Sequence, residues 1–98
     1  MKRNKPSLQD MILAGLRLAI TDGYENITRD QIAEELGCAP SLIPYKMGSM
    51  ADLRRHIIAY AIALDCKPVV AQGLVRLHPL CMELSKERKQ EALKPFGL

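Results

Sequence analysis

Residues 28–46 read TRDQIAEELGCAPSLIPYK, and this run contains two helix starts separated by one sharp stop. Thr28 carries a hydroxyl that can accept from a free backbone N–H, and Gln31 three positions later can return the bond to the Thr28 N–H. That capping box predicts a helix start. Ile32, Ala33 and Leu36 then fall on one face of a two-turn helix, which Gly37 closes by taking the left-handed conformation other residues avoid. Cys38 and Ala39 form the link to Pro40, whose missing N–H suits the first position of a new helix. Two short helices joined this tightly hold the second at a steep angle to the first, the arrangement of a helix-turn-helix.

Working outward, Pro6-Ser7 precedes an apolar-periodic stretch, and Ser7 with Asp10 forms another capping box. Leu8, Ile12, Gly15, Leu16 and Ala19 make one stripe, Gly15 allows a crossing helix to approach closely, and Asp22-Gly23 ends the element. On the other side, Ser49-Met50-Ala51-Asp52 caps a helix carrying Leu53, Ile57, Tyr60 or Ala61, and Leu64 on its inner face. This element is expected to be the longest, stopped at Lys67-Pro68 because proline biases its predecessor away from helical geometry. His78-Pro79 makes a second break, so 69–77 and 80–94 read as two further helices. No internal repeat appears.

At 98 residues the chain supports one modest core. Apolar residues make up 48%, yet only Phe96 and three tyrosines are aromatic, so the core is aliphatic and favours packed helices. The expectation is an all-α, small helical bundle: a basic N-terminal arm at 1–6, a helix-turn-helix domain with its fourth helix at 7–66, and a short helical C-terminal extension at 67–98.

The net charge of +3 suits a phosphate-bearing partner but falls far short of a nonspecific nucleic-acid coat protein. In residues 1–46 the cations Lys2, Arg3, Lys5, Arg17, Arg29 and Lys46 are balanced by Asp10, Asp22, Glu25, Asp30, Glu34 and Glu35. Placement therefore decides. Lys2, Arg3 and Lys5 crowd the N-terminus as a basic arm able to lie on a phosphate backbone, or simply as a solvated end.

Cys38, Cys66 and Cys81 form no C-x-x-C pair, and no signal-like or membrane-length apolar run is present, which points to a reduced, cytoplasmic chain. His78 and Cys81 stand three apart but are too few for a closed zinc site, so neither metal nor cofactor is expected. Nor is enzymatic activity expected: no nucleophile has a plausible base, no carboxylates form an arranged pair, and no glycine loop cradles phosphate.

A helix held out by a tight turn fits the major groove of B-DNA, where base edges are distinguishable, while its neighbour braces it across the backbone. From Ile12 to Leu53 the chain resembles the N-terminal DNA-binding domain of the TetR family of bacterial transcriptional regulators, a homeodomain-like fold. The matching residues run in order: Ile12-Leu13, Leu16-Arg17-Leu18, Gly23-Tyr24, Thr28, Ile32-Ala33, Gly37, Ile43, Gly48-Ser49 and Asp52-Leu53. The resemblance covers less than half of the chain. It implies backbone contacts from Thr28 and Arg29, and a reading surface of Ala39, Pro40, Ser41, Leu42, Tyr45 and Lys46. Ser41 can bond to a base or phosphate, Tyr45 can donate to a phosphate and lay its ring on a thymine methyl, and Lys46 can neutralise a phosphate. Leu42 offers apolar contact or core packing, whereas Ile43 belongs to the core.

Three features depart from the family. Pro44 stands where a tyrosine is usual, which removes a contact and is expected to kink the helix. Met50 replaces the usual lysine, leaving Lys2, Arg3, Lys5, Arg54 or Arg55 to compensate. Only a short tail follows Leu53, too little to wall an effector chamber, so no small-molecule effector is expected. The tail has two readings. Its stripe of Val69, Val70, Leu74, Leu77, Leu80, Cys81 and Leu84 either packs on its own domain or supplies a homodimer surface through Val70, Leu74, Leu77, Leu80 and Leu84. The functional expectation is a sequence-specific regulator of double-stranded DNA, a dimeric repressor in the cytoplasm and nucleoid. The alternative is an adaptor or anti-regulator that uses the same scaffold to bind another transcription protein.

Overall fold

Hydroxyl caps set where the first, second and fourth helices begin. The computed structural model describes residues 5–98, so Lys2 and Arg3 of the basic arm lie outside the described residues. Ser7 accepts from the Asp10 N–H at 3.1 Å and starts α1 (Leu8–Asp22). Thr28 accepts from the Gln31 N–H at 3.2 Å and starts α2 (Arg29–Leu36), while Ser49 accepts from the Asp52 N–H at 3.1 Å and starts α4 (Met50–Ala63). In all three boxes the returning side chain also bonds the cap N–H, satisfying backbone groups a helix start leaves open. Between them lies α3 (Leu42–Met47), and after them come α5 (Lys67–Val75), α6 (Pro79–Met82), α7 (Lys86–Leu93) and a final 3₁₀ turn, Lys94–Phe96. Among the described residues there is no strand, and the protein is an all-α bundle.

The core is aliphatic. Met11, Ile27, Ile32, Ile43, Leu53, Ile57 and Ile58 are shut off from solvent, with Val69, Val70, Leu74, Cys81 and Ala92 in the same cluster. α1 crosses α4 at Gly15, where an added Cβ would stand 2.6 Å from Ile57 Cδ1. That close approach is the one its position on the apolar stripe predicts.

No break in packing falls at residue 67. α5 lies against α1 and α4, and its Gln72 side chain donates to the Ala19 carbonyl and accepts from the Tyr24 N–H, both at 2.8 Å. Arg88 on α7 donates to the Ile62 carbonyl at 2.9 Å and pairs with Asp65 at 3.6 Å. The C-terminal segment is thus bound into the bundle.

Three boundaries differ from expectation. α4 stops at Ala63, before Lys67-Pro68, because Asp65 turns left-handed at φ 55° and the Cys66 N–H bonds back to the Ala61 carbonyl. Pro68 then sits in the first turn of α5, where it needs no N–H partner, so it opens a helix instead of closing one. α5 itself ends at Val75, and the chain then turns at Leu77, φ 59°, with the His78 N–H bonded to the Gly73 carbonyl at 2.8 Å. The stretch 80–94 is not one helix: Ser85 accepts from the Arg88 N–H and starts α7 afresh.

Leu77 holds a conformation that costs a side-chain-bearing residue about 1–2 kcal/mol, and its side chain is exposed. Leu77→Gly is therefore expected to stabilise the fold by roughly 0.5–1 kcal/mol, the relief exceeding the added freedom of glycine in the unfolded chain. A higher urea midpoint at unchanged slope is the readout; a lower midpoint would mean that Leu77 makes stabilising contacts.

Candidate nucleic-acid interface

The turn between α2 and α3 is made by Gly37 at φ 69°, ψ 37°, with its N–H bonded to Glu34 and the Cys38 N–H bonded to the Ala33 carbonyl at 3.0 Å. These bonds tie off the carbonyl end of α2. The chain enters α3 through a tight turn in which the Leu42 N–H bonds to Ala39 and the Ile43 N–H to Pro40. Pro40 and Ser41 therefore precede the helix instead of opening it.

The expected kink at Pro44 has no cause. Pro44 is the third residue of α3, inside the first turn, where its N–H would have no helical partner. The Pro40 carbonyl, which a kinking proline would leave unpaired, is taken by the Ile43 N–H at 3.1 Å. Pro44 removes a side-chain contact implied by the resemblance but leaves the helix intact.

α3 is anchored from beneath by Ile43 and Met47, both buried, while Leu42 is half-buried against the core. The outer surface carries Ala39, Pro40, Ser41, Tyr45 and Lys46, all exposed, and Tyr45 stands 84% open to solvent. A tyrosine ring this exposed on a rigidly seated helix contributes nothing to the fold. Ser41 makes no capping bond, so its hydroxyl is available; Thr28, by contrast, is engaged with Gln31. Arg29 and Lys46 are exposed and form no ion pair among the described residues.

The flanking charges sort differently. Arg54 donates to the Ile27 carbonyl at 3.4 Å, so it holds the loop leading into α2. The Arg55 charge, after burial, contributes to lowering the pKa of His78. Arg54 is engaged with the fold, while Arg55 is exposed and forms no ion pair among the described residues. Arg17 is paired with Glu35 at 3.4 Å and braces α1 against α2. Lys5 is exposed immediately before Pro6, which is buried and anchors the entry to α1. Asp30 in the first turn of α2 and Glu34 one turn later are both exposed, so the outer face of this helix carries acid beside Arg29.

The tail residues expected to form a dimer surface divide. Val70 and Leu74 are buried in the chain's own core and are not on a surface at all. Leu80 and Leu84 are half-buried against that core, and of the set Leu77 alone is exposed. The physical reason is that α5 packs its apolar face onto α1 and α4 instead of turning it outward.

Size does not exclude a pocket here. A hollow of about 400 Å³ is lined by Ile20, Pro68, Ala71, Gln72, Val75, Arg76, Phe96 and Leu98, within the range that small-molecule sites occupy. It was illegible because residues from α1, α5 and the last turn meet there only in the folded chain. Among the described residues no group of three His, Cys, Asp or Glu side chains could hold a metal ion, and Cys81 is buried with its thiol 3.8 Å from the Val70 carbonyl. No described helix is long and apolar enough to cross a membrane.

His78 carries a pH-dependent part of the fold. Its Nδ1 accepts from the Leu80 N–H at 3.2 Å at the start of α6, and its ring meets Tyr24 edge-on with centroids 6.1 Å apart. Burial, then the Arg55 charge, hold its pKa below the ordinary value, with Glu25 acting the other way. The folded state thus resists protonation, so this contribution is complete above pH about 6.5 and is lost as pH falls through the depressed folded value. Comparing wild type with His78→Asn, which keeps a capping group, isolates the effect: wild type should lose more stability between pH 7 and pH 5. Equal losses would show that His78 has no such role.

Comparison with family models, curated proteins and solved structures returns no match for this chain.

Proposed function

We propose that this chain is a sequence-specific double-stranded DNA-binding transcriptional regulator of the TetR kind, acting as a homodimeric repressor without catalytic activity. The observation that carries the reading is the seating of α3: Ile43 and Met47 hold it from below while Ser41, Tyr45 and Lys46 face outward, with Tyr45 almost fully exposed. A short helix presented this way is suited to the major groove, with α2 bracing it. Ser41 and Tyr45 supply hydrogen bonds and an apolar ring, Lys46 and Arg29 supply charge, and Lys5 extends the same chemistry from the entry to α1.

A gel-shift competition against unrelated DNA at two salt concentrations tests this reading. Specific binding should survive an excess of competitor at the higher salt, whereas equal affinity for every duplex would remove the claim.

A second reading, an adaptor for another transcription protein, draws on the single cation of α3 and on Met50, which is half-buried against the core and offers no phosphate contact. It requires that substitution of Tyr45 and Lys46 leave the protein's activity unchanged.

A further inference from the structure

The surface formed by the turn and α3 lacks the side chains that read most bases. From Gly37 to Ser49 the chain holds no Arg, Asn, Gln, Asp or Glu. Forked recognition of guanine by Arg, forked recognition of adenine by Asn or Gln, and acceptance from the cytosine amine by Asp or Glu are therefore all missing. What this surface offers instead is apolar. Ala39 and Pro40 are exposed, Leu42 is half-buried, and the Tyr45 ring stands 84% open. Tyr45 follows Leu42 at the three-residue spacing that puts two side chains on one helix face.

The two polar groups beside them do not supply the missing readout. Ser41 has an uncommitted hydroxyl, but a hydroxyl both donates and accepts and so distinguishes no base by itself. Lys46 lies in the last turn of α3, whereas a recognition helix touches base edges through its N-terminal residues, so this cation is placed for a phosphate.

One feature of the major groove is recognised by apolar contact alone, the C5-methyl group of thymine. We propose that α3 selects its operator through thymine methyl groups, each half-site presenting a cluster of them to Ala39, Pro40, Leu42 and Tyr45. The inference rests on the DNA-binding reading and names the base class that site takes. Uracil tests it cleanly, because it pairs with adenine and keeps the O4 acceptor of thymine while lacking the methyl group.

Site selection by the full chain from random double-stranded DNA supplies the probe, and the recovered duplex is then made with deoxyuridine in place of each half-site thymidine. Affinity should fall about fourfold for each methyl group that α3 covers, the worth of one buried carbon. The salt slope should stay unchanged, because no phosphate contact is touched. Tyr45→Ala should bind the thymine duplex more weakly and lose less on exchange to uracil, since the ring no longer covers its methyl group. Lys46→Ala should weaken binding to both duplexes by the same factor. Equal affinity for the thymine and uracil duplexes would overturn the proposal while leaving DNA binding in place. So would a discrimination that vanishes with Lys46→Ala and survives Tyr45→Ala. A pool that yields no enriched duplex would remove the DNA-binding reading and this inference together.

Discussion

Ile57→Ala is expected to lower the free energy of unfolding by about 2–5 kcal/mol, the range for deleting a buried aliphatic side chain whose surroundings relax only in part. Ile57 is fully buried at the crossing of α1 and α4, and its Cδ1 occupies the space a side chain on Gly15 would need. A domain of this size has a total stability of roughly 5–15 kcal/mol, so the variant approaches the point of not folding. The same geometry predicts a coupling. Gly15→Ala forces its methyl against Ile57 and should cost about 1–3 kcal/mol, whereas Ile57→Val removes the obstructing carbon at about 0.5–1.5 kcal/mol. The double variant should lose less than the sum of the two. Urea titrations at constant slope read all three; strict additivity would show that the helices part at the crossing instead of meeting there.

Tyr45→Ala with Lys46→Ala is expected to reduce affinity for the specific duplex by on the order of 10–100-fold, from about 1–3 kcal/mol of lost contact. Stability should change by no more than about 0.5 kcal/mol, because neither exposed side chain holds the fold. Lys46→Ala alone should reduce the salt slope of binding by about 0.9, one phosphate contact. The contrast with Ile43→Ala separates reading from seating: that variant should lose binding only together with stability, since Ile43 is 1% exposed and anchors α3. If the double variant binds as wild type does, α3 is not the reading element.

Where backbone chemistry announces itself in side chains, the fold could be read in advance. Ser7, Thr28 and Ser49 each begin a helix because a hydroxyl with its acid or amide three residues on satisfies the first free N–H groups, and Gly37 closes α2 where a positive φ is needed. The ends of α4 and α5 were hidden because Asp65 and Leu77 adopt the left-handed conformation without being glycine. Asp tolerates that conformation and Leu resists it, so tertiary packing imposes the stop. Pro68 and Pro44 were misread for one reason: proline breaks a helix interior but is harmless in a first turn, and only the observed start distinguishes the two. Periodicity placed Val70 and Leu74 on one stripe without saying which neighbour covers it. The resemblance put Ala39, Pro40, Ser41, Leu42, Tyr45 and Lys46 on one surface, and all but the half-buried Leu42 are exposed, whereas Arg54 bonding to Ile27 joins residues far apart in the chain.

Selection of bound sites from random double-stranded DNA by the full chain tests the central claim most directly. Enrichment of one sequence family, arranged as two inverted half-sites about one helical turn apart or a multiple of it, is the predicted result. A pool that stays random through successive rounds, with affinity set by salt alone, would contradict it.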